Sequence, residues 1–422
     1  MDNKEYVKGV VRYQLNNCSG AFSHNLERDL HLFILWEHGR GHENLVRDYI
    51  SAKFLLLAEY HILWSKDKVN ENFLRLYKAI DGGVISKKSR QVGEGEFICF
   101  VVEDQSPGYR YRQNVSGTIE LVNTKVLHCK RSLREISGGY YIHSSSGPEE
   151  FYEQMALLLG PSELRQVHDV SDGQCLRRDL CSDLSGAQGW NDFSEMFDVL
   201  RYCSQYVILR NFEFLPDKFF ENDKDVDMLC DSVSDTLAAI NGRAVKSRKG
   251  VCKSVVSVSG ISVPFDIRFL GDNYYDMRWQ KHILSSRELT EKAVFAPRPD
   301  DYFFSLLYHA ALQKRTMKDI YKERLTGLAR MLQFDFLHPD TFTDERKIAA
   351  VLEGFLKASG YVYVDPVDSG VFCNHRILRH IDSSVGGKDK KVIEKLVTVL
   401  VPRKIVMLFP KDLRAWVKSV LK

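Results

Sequence analysis

ENDKDVDMLCD, residues 221–231, places five acidic side chains among eleven, including Asp223, Asp225, Asp227 and Asp231. Charge of one sign at that density persists only where solvent, a cation or a partner offsets it. The neighbours Val226, Met228 and Leu229 read as core residues. On a strand, side chains alternate between faces, so Asp225 and Asp227 share one face while Val226 and Met228 take the other. Thirty-nine residues beyond Asp227 comes VPFDIRFL, where Asp266 alternates with Phe265 and Ile267. If the two strands are neighbours, Asp225, Asp227 and Asp266 converge. Such a group suits Mg²⁺ (or Mn²⁺), which takes one or two carboxylates together with water and substrate phosphates. Asp223 and Asp231 read as a solvated loop residue and a cap.

The flanking segments alternate in the same way. WNDFSEMFDVLRYC predicts a helix, QYVILRNFEF a strand, and SVSDTLAAINGR a helix capped by Ser232 or Ser234. SVVSVSG and VPFDIRFL follow as strands. Residues 192–298 therefore form one α/β segment. From residue 299 the pattern turns helical through PDDYFFSLLYHAALQK, KIAAVLEGFLKASG, KVIEKLVTVLV and KDLRAWVKSVL. Upstream, HLFILWEH, FLLLAEYHILW and GEFICFVVED read as strands, with helices at ENLVRDYISAKF, KVNENFLRLYKAI and GPEEFYEQMALLLG. That order predicts a ferredoxin-type α+β domain over 1–160. Residues 161–191 are polar, rich in Ser, Asp and Gly, and read as a linker. The fold class is thus multidomain α/β (α+β).

Composition sets outer bounds. With 422 residues there is room for two or three domains. A net charge of +3 gives no nucleic-acid footprint, and no apolar run reaches the roughly 18 residues of a membrane span. The N-terminus lacks the apolar stretch of a signal peptide. Nine cysteines without a CxxC pair argue against disulfides and zinc ribbons. The expected location is the cytoplasm, with a peripheral place at the inner membrane face as an alternative.

The acidic constellation resembles the nucleotidyltransferase superfamily over about 190–315, nearest to an uncharacterised bacterial nucleotidyltransferase type. The shared elements are DVDML, then FDIRF or YYDMRW, then FSLLYHAAL with His309. The resemblance implies a transferase acting on a nucleotide-activated donor. Bacterial phosphocholine transferases and fukutin-like enzymes of that superfamily transfer a phospho-alcohol onto a glycan, so a glycan acceptor and surface-polysaccharide assembly are implied. Asp225 and Asp227 would bind the cation, and Asp266 would complete the site or act as general base. The family's small Gly turn is replaced here by Leu209-Arg210-Asn211, where Arg210 would hold phosphate by charge.

GGYYIHSSSGPEEFYEQMALLLG resembles the histidine segment of nucleoside diphosphate kinases, and the order of elements over about 29–160 fits as well. The resemblance implies a phospho-accepting His143 with Glu149 six residues on, and Arg131 or Arg134 contacting phosphate. The family's strand lysine falls at Trp36 or Glu37, its asparagine at Tyr140 and its glycine at Ser144. These departures favour a kinase-type fold reused for nucleotide binding or scaffolding. Three readings follow: a Mg²⁺-dependent transferase, a non-catalytic nucleotide-binding or regulatory protein built from degenerate enzyme domains, and a kinase acting through His143. His38 and His42 stand in HxxxH spacing but in a Gly-containing loop. Asp365 and Asp368 flank Pro366 in a turn, and GGKDKKVIEKL reads as a solvated helix start.

Overall fold

The computed structural model describes residues 28–78, 82–113, 119–171, 173–222, 224–248, 250–334 and 340–381. Its fold is mixed α/β. Asp223, the basic run GGKDKKVIEKL and the helices expected in KVIEKLVTVLV and KDLRAWVKSVL lie outside the described residues. The chain divides into two compact units. The first takes the described residues of 1–246, 253–267 and 289–295; the second takes those of 247–252, 268–288 and 296–422. The segments 1–160 and 192–298, expected as separate domains, thus contribute mostly to one unit.

The first unit opens with β1 (Leu30–Leu35), α1 (Glu43–Ser51), β2 (Leu55–Leu63), α2 (Val69–Leu76), α3 (Gly82–Val92) and β3 (Phe97–Glu103). An antiparallel pair follows, β4 (Tyr109–Gln113) and β5 (Ile119–Asn123), then α4 (Thr124–Ile136), β6 (Ile142–Ser144), α5 (Pro148–Leu158), α6 (Gly160–His168) and β7 (Leu176–Cys181). The main sheet runs β6-β1-β3-β2-β7. Neighbours are antiparallel except β7, which is parallel to β2. β1 and β3 are nearly all apolar because both faces are covered. On one face Phe33, Leu35, Phe100 and Ile142 pack against Val46 and Ile50 of α1 and Val126 and Leu133 of α4. On the other, Trp36 packs against Phe97 and Phe73 at ring-centroid distances of 4.8 and 5.1 Å.

The segment read as a linker is not one. It holds most of α6 and all of β7, whose register with β2 runs from Ala58↔Leu176 to Leu63↔Cys181. LRRDLC is an edge strand with alternate residues exposed. Its charged positions give it the composition of a loop, while only a period of two over six residues marks it as a strand.

The unit continues through α7 (Phe193–Cys203), β8 (Tyr206–Ile208), β9 (Val226–Cys230), α8 (Val233–Ile240) and most of β10 (Arg243–Arg248), β11 (Val251–Val258) and β12 (Ile261–Phe269). The second sheet runs β10-β11-β12-β9-β8. Ser232 is the cap of α8, accepting a hydrogen bond from the Asp235 amide. Trp190 ties its own loop to β11: its amide donates to the Ser257 carbonyl at 2.9 Å, and the Ser259 amide donates back to its carbonyl at 2.8 Å. β8 is shorter than QYVILRNFEF suggests, because Asn211 at φ +58° turns the chain out of the strand.

The second unit contains α9 (Met277–Ser286), α10 (Pro299–Leu312), α11 (Asp319–Met331) and α12 (Glu345–Ser359). α10 is buried around nearly its whole circumference. Trp279 meets Phe355 at 5.0 Å and Tyr308 at 5.7 Å. YVYVDPVDSG forms no strand; Asp368 accepts from the Gly370 amide at 2.8 Å, as a turn residue does. Among the described residues no helix is long and apolar enough to cross a membrane.

Candidate functional site

β9 and β12 are neighbours in the second sheet, so Asp227 and Asp266 stand on adjacent strands. Each alternates with buried residues: Val226 and Met228 beside Asp227, Phe265 and Ile267 beside Asp266. Asp225 lies one residue before β9, outside the paired strand. The side chain against Asp227 is Arg210, which is 8% exposed. Its Nη2 lies 2.5 Å from Oδ1 and its Nε 3.1 Å from Oδ2, a forked pair. The Leu209 amide donates to the Asp227 carbonyl at 2.9 Å, which fixes the base of that arm. Lys253 of β11 approaches Asp266 at 3.9 Å. The acidic charge of residues 221–231 is therefore offset in part by a guanidinium, and Arg210, expected to face a phosphate, faces a carboxylate.

Carboxylate oxygens are the donors a hard divalent cation takes, so the residue types fit Mg²⁺ or Mn²⁺. Among the described residues, however, the group of three acid and histidine side chains whose ligand atoms all come within 4.8 Å of one another is Glu43, Glu59 and His61, in the first sheet region. That group already holds a cation. Arg47 Nε and Nη2 each lie 2.7 Å from a Glu59 oxygen, and Nη2 lies 2.7 Å from Glu43. It is an ion-pair network on the β2 face.

His143 sits at the centre of β6, paired opposite Ile34 of β1. Its Nε2 lies 2.8 Å from the Gln154 amide nitrogen and 3.5 Å from Glu150. Its ring meets Tyr77 edge-on at 5.6 Å. Burial, aided by the charge of Lys130, pushes its pKa down to about 4, so the imidazole is neutral at physiological pH. The acid beside it is Glu150. Glu149, implied by the kinase resemblance, is exposed, whereas Glu150 accepts from the Ser146 amide at 2.7 Å. Lys130 and Arg134, one turn apart on α4, reach β6 on either side of His143. Lys130 Nζ lies 3.3 Å from the Ser144 carbonyl, and Arg134 Nε donates to the Ile142 carbonyl at 3.0 Å. Lys88 of α3 stands over the Tyr77 ring at 5.3 Å. Arg131 is exposed on the same helix. The i, i+4 spacing of Lys130 and Arg134 is the one sequence signal of this cluster; the approach of Lys88 and Tyr77 has no local signal.

The remaining candidates are structural. Trp36 is enclosed by aromatic rings, and Glu37 accepts from the Glu94 and Gly95 amides at 2.8 and 2.7 Å, anchoring a loop. His38 and His42 are exposed on a 3₁₀ turn. His309 is buried with Nδ1 2.8 Å from the Tyr274 hydroxyl. Asp29, His31 and Ser145 have the composition of a nucleophilic triad, with 2.6 Å and 3.3 Å between successive polar atoms. Ser145 is wholly buried and accepts from the Leu32 amide, so it pins β1 to the loop after β6. Comparison of the chain with models of known families, with curated proteins and with solved structures returns no significant match.

Proposed function

We propose that the chain is a metal-dependent transferase using a nucleotide-activated donor, with Asp227 and Asp266 as its cation-binding acids and Asp225 supplying a further oxygen. The observation that carries this reading is the adjacency of β9 and β12, which puts two part-exposed carboxylates on neighbouring strands beyond a strand-and-turn element. Asp227, Asp266 and Asp225 would hold Mg²⁺ or Mn²⁺ through their carboxylate oxygens, and Arg210 and Lys253 would then turn from their carboxylate partners to donor phosphate. When bound, the cation would supply charge neutralisation at phosphate oxygens and alignment of an acceptor hydroxyl. Asp266 completes the metal site or accepts the proton. The antiparallel order β6-β1-β3-β2 supports a ferredoxin-type, kinase-related reading of the first half, with His143 as a docking residue.

The forked Arg210–Asp227 pair favours a second reading, a nucleotide-binding protein that does no chemistry. One titration separates the two: Mg²⁺ and Mn²⁺ with nucleoside triphosphates and CDP-alcohols, followed by melting temperature and product formation. The transferase reading expects metal-dependent stabilisation and turnover, both lost in Asp227→Ala. Arg210→Met should tighten metal binding, because it frees the Asp227 oxygens. Nucleotide binding without metal dependence, unchanged in Asp227→Ala, would sink the transferase reading.

A further inference from the structure

A cavity of about 690 Å³ opens in the first unit, walled by α2, the 187–190 loop, α8 and the outer residues of β11 and β12. Pockets that take small molecules run from about 300 to about 1,000 Å³. Its most unusual wall residue is Arg75, which is 5% exposed. Arg75 Nε donates to the Ala238 carbonyl at 2.8 Å; Nη2 donates to Ser185 and Ala239 carbonyls at 2.6 and 3.2 Å. The bonds to Ala238 and Ala239 hold C-terminal carbonyls of α8, and the three bonds together account for two of the three nitrogens. Nη1 is buried and has no hydrogen-bond partner among the described residues. A buried guanidinium lacking a carboxylate is costly, and the cost falls when an anion completes the fork.

The other charges on the wall nearly cancel. Glu71 pairs with Lys68 at 2.9 Å. Lys78 pairs with Glu153 at 2.7 Å and Asp235 at 3.1 Å. Arg75 and the exposed Arg243 remain as excess positive charge. Burial also draws the Arg75 pKa down to about 10, in keeping with a cation short of compensation. Leu74, Leu237, Ile240 and Val255 supply an apolar wall beside Trp190. A bare inorganic ion would leave that wall wet, so the arrangement suits an anionic group on an apolar body.

We propose that this cavity binds a small organic oxyanion, a carboxylate or phosphate monoester with an apolar body, whose charged group docks against Arg75. The site is separate from the acidic strand pair. Ser262 at the cavity and Asp266 share the outer face of β12, but four residues of strand set them about 13 Å apart. The inference therefore does not rest on metal chemistry.

The test is calorimetric titration of the full chain, without metal, using AMP and octanoate, with adenosine and octanol as their neutral counterparts. AMP or octanoate should bind, which tells phosphate from carboxylate, and its neutral counterpart should bind at least about tenfold more weakly. Arg75→Lys, which keeps the charge but loses the fork, should weaken binding about tenfold or more. Ser262→Trp, at an exposed rim position, should abolish binding with the melting temperature unchanged, and it decides the matter if Arg75→Lys fails to fold. Asp266→Asn should bind as the unaltered chain does. Failure of both anions to bind, equal binding of the neutral counterparts, or undiminished binding in Ser262→Trp would overturn the proposal.

Discussion

Arg47→Met would show how much one guanidinium contributes to the first sheet. Glu59 lies on β2 with its side chain 2% exposed. Arg47 reaches it from α1 with two bonds of 2.7 Å, and His61 Nε2 lies 2.9 Å from Oε1. Burial pushes the Glu59 carboxyl up, but the hydrogen bonds from Arg47 and His61 override it and hold the pKa at about 2 against an ordinary 4.5. That gap corresponds to about 3 kcal/mol of stability. Because the folded value lies below the unfolded one, this stability is present above about pH 4.5 and is lost as pH falls through 2. In Arg47→Met the carboxylate stays buried without its fork, so its folded pKa moves upward. The variant should be about 3 kcal/mol less stable near neutrality, with the difference shrinking in acid as Glu59 protonates. Guanidinium melts followed by circular dichroism at several pH values measure this. Adding Glu59→Gln to Arg47→Met should recover most of the loss. A difference below about 1 kcal/mol, or one that does not change with pH, would refute the reasoning.

His143 should not accumulate a stable phosphate when the protein is incubated with labelled nucleoside triphosphate, because Trp36 is locked in the aromatic core and Tyr140 is exposed; acid-labile label that disappears in His143→Ala would promote the kinase reading. Gly186→Ala should cost about 2–4 kcal/mol in chemical denaturation. Gly186 sits at φ +71°, and a Cβ there would meet the Trp190 ring at 2.3 Å, so a near-neutral result would contradict the packing described.

Strands and helices with strong apolar periodicity are legible in the amino-acid order alone. β1, β2, β3, β9 and β12 all lie where apolar spacing puts them, as do α1, α2 and α5. The shared orientation of Asp227 and Asp266 against their buried neighbours is legible too, since strand parity is a local property. What stays hidden depends on partners distant in sequence. Nothing local to Arg210 distinguishes a guanidinium that meets phosphate from one that meets Asp227. Arg75 reads as an ordinary charged position on an amphipathic helix; its burial is decided by α8, more than 160 residues on. α4 begins at Asn123, whose side chain accepts from the Lys125 and Val126 amides. That cap is legible in principle, but the short strand before it obscures the boundary.

The parallel pairing of β2 with β7 also sets a timetable. Ala58 and its partner Leu176 are separated by 118 residues of chain. At synthesis rates of about 5–20 residues per second, the outer edge of β2 waits on the order of ten seconds for its partner to leave the ribosome. During that interval β2 presents unpaired amides and carbonyls along one side, with Ala58, Tyr60 and Ile62 not yet sealed in. The polar residues 161–191 end that wait, so a pause in translation just before Leu176 would prolong the period in which the nascent first sheet can pair with the wrong strand.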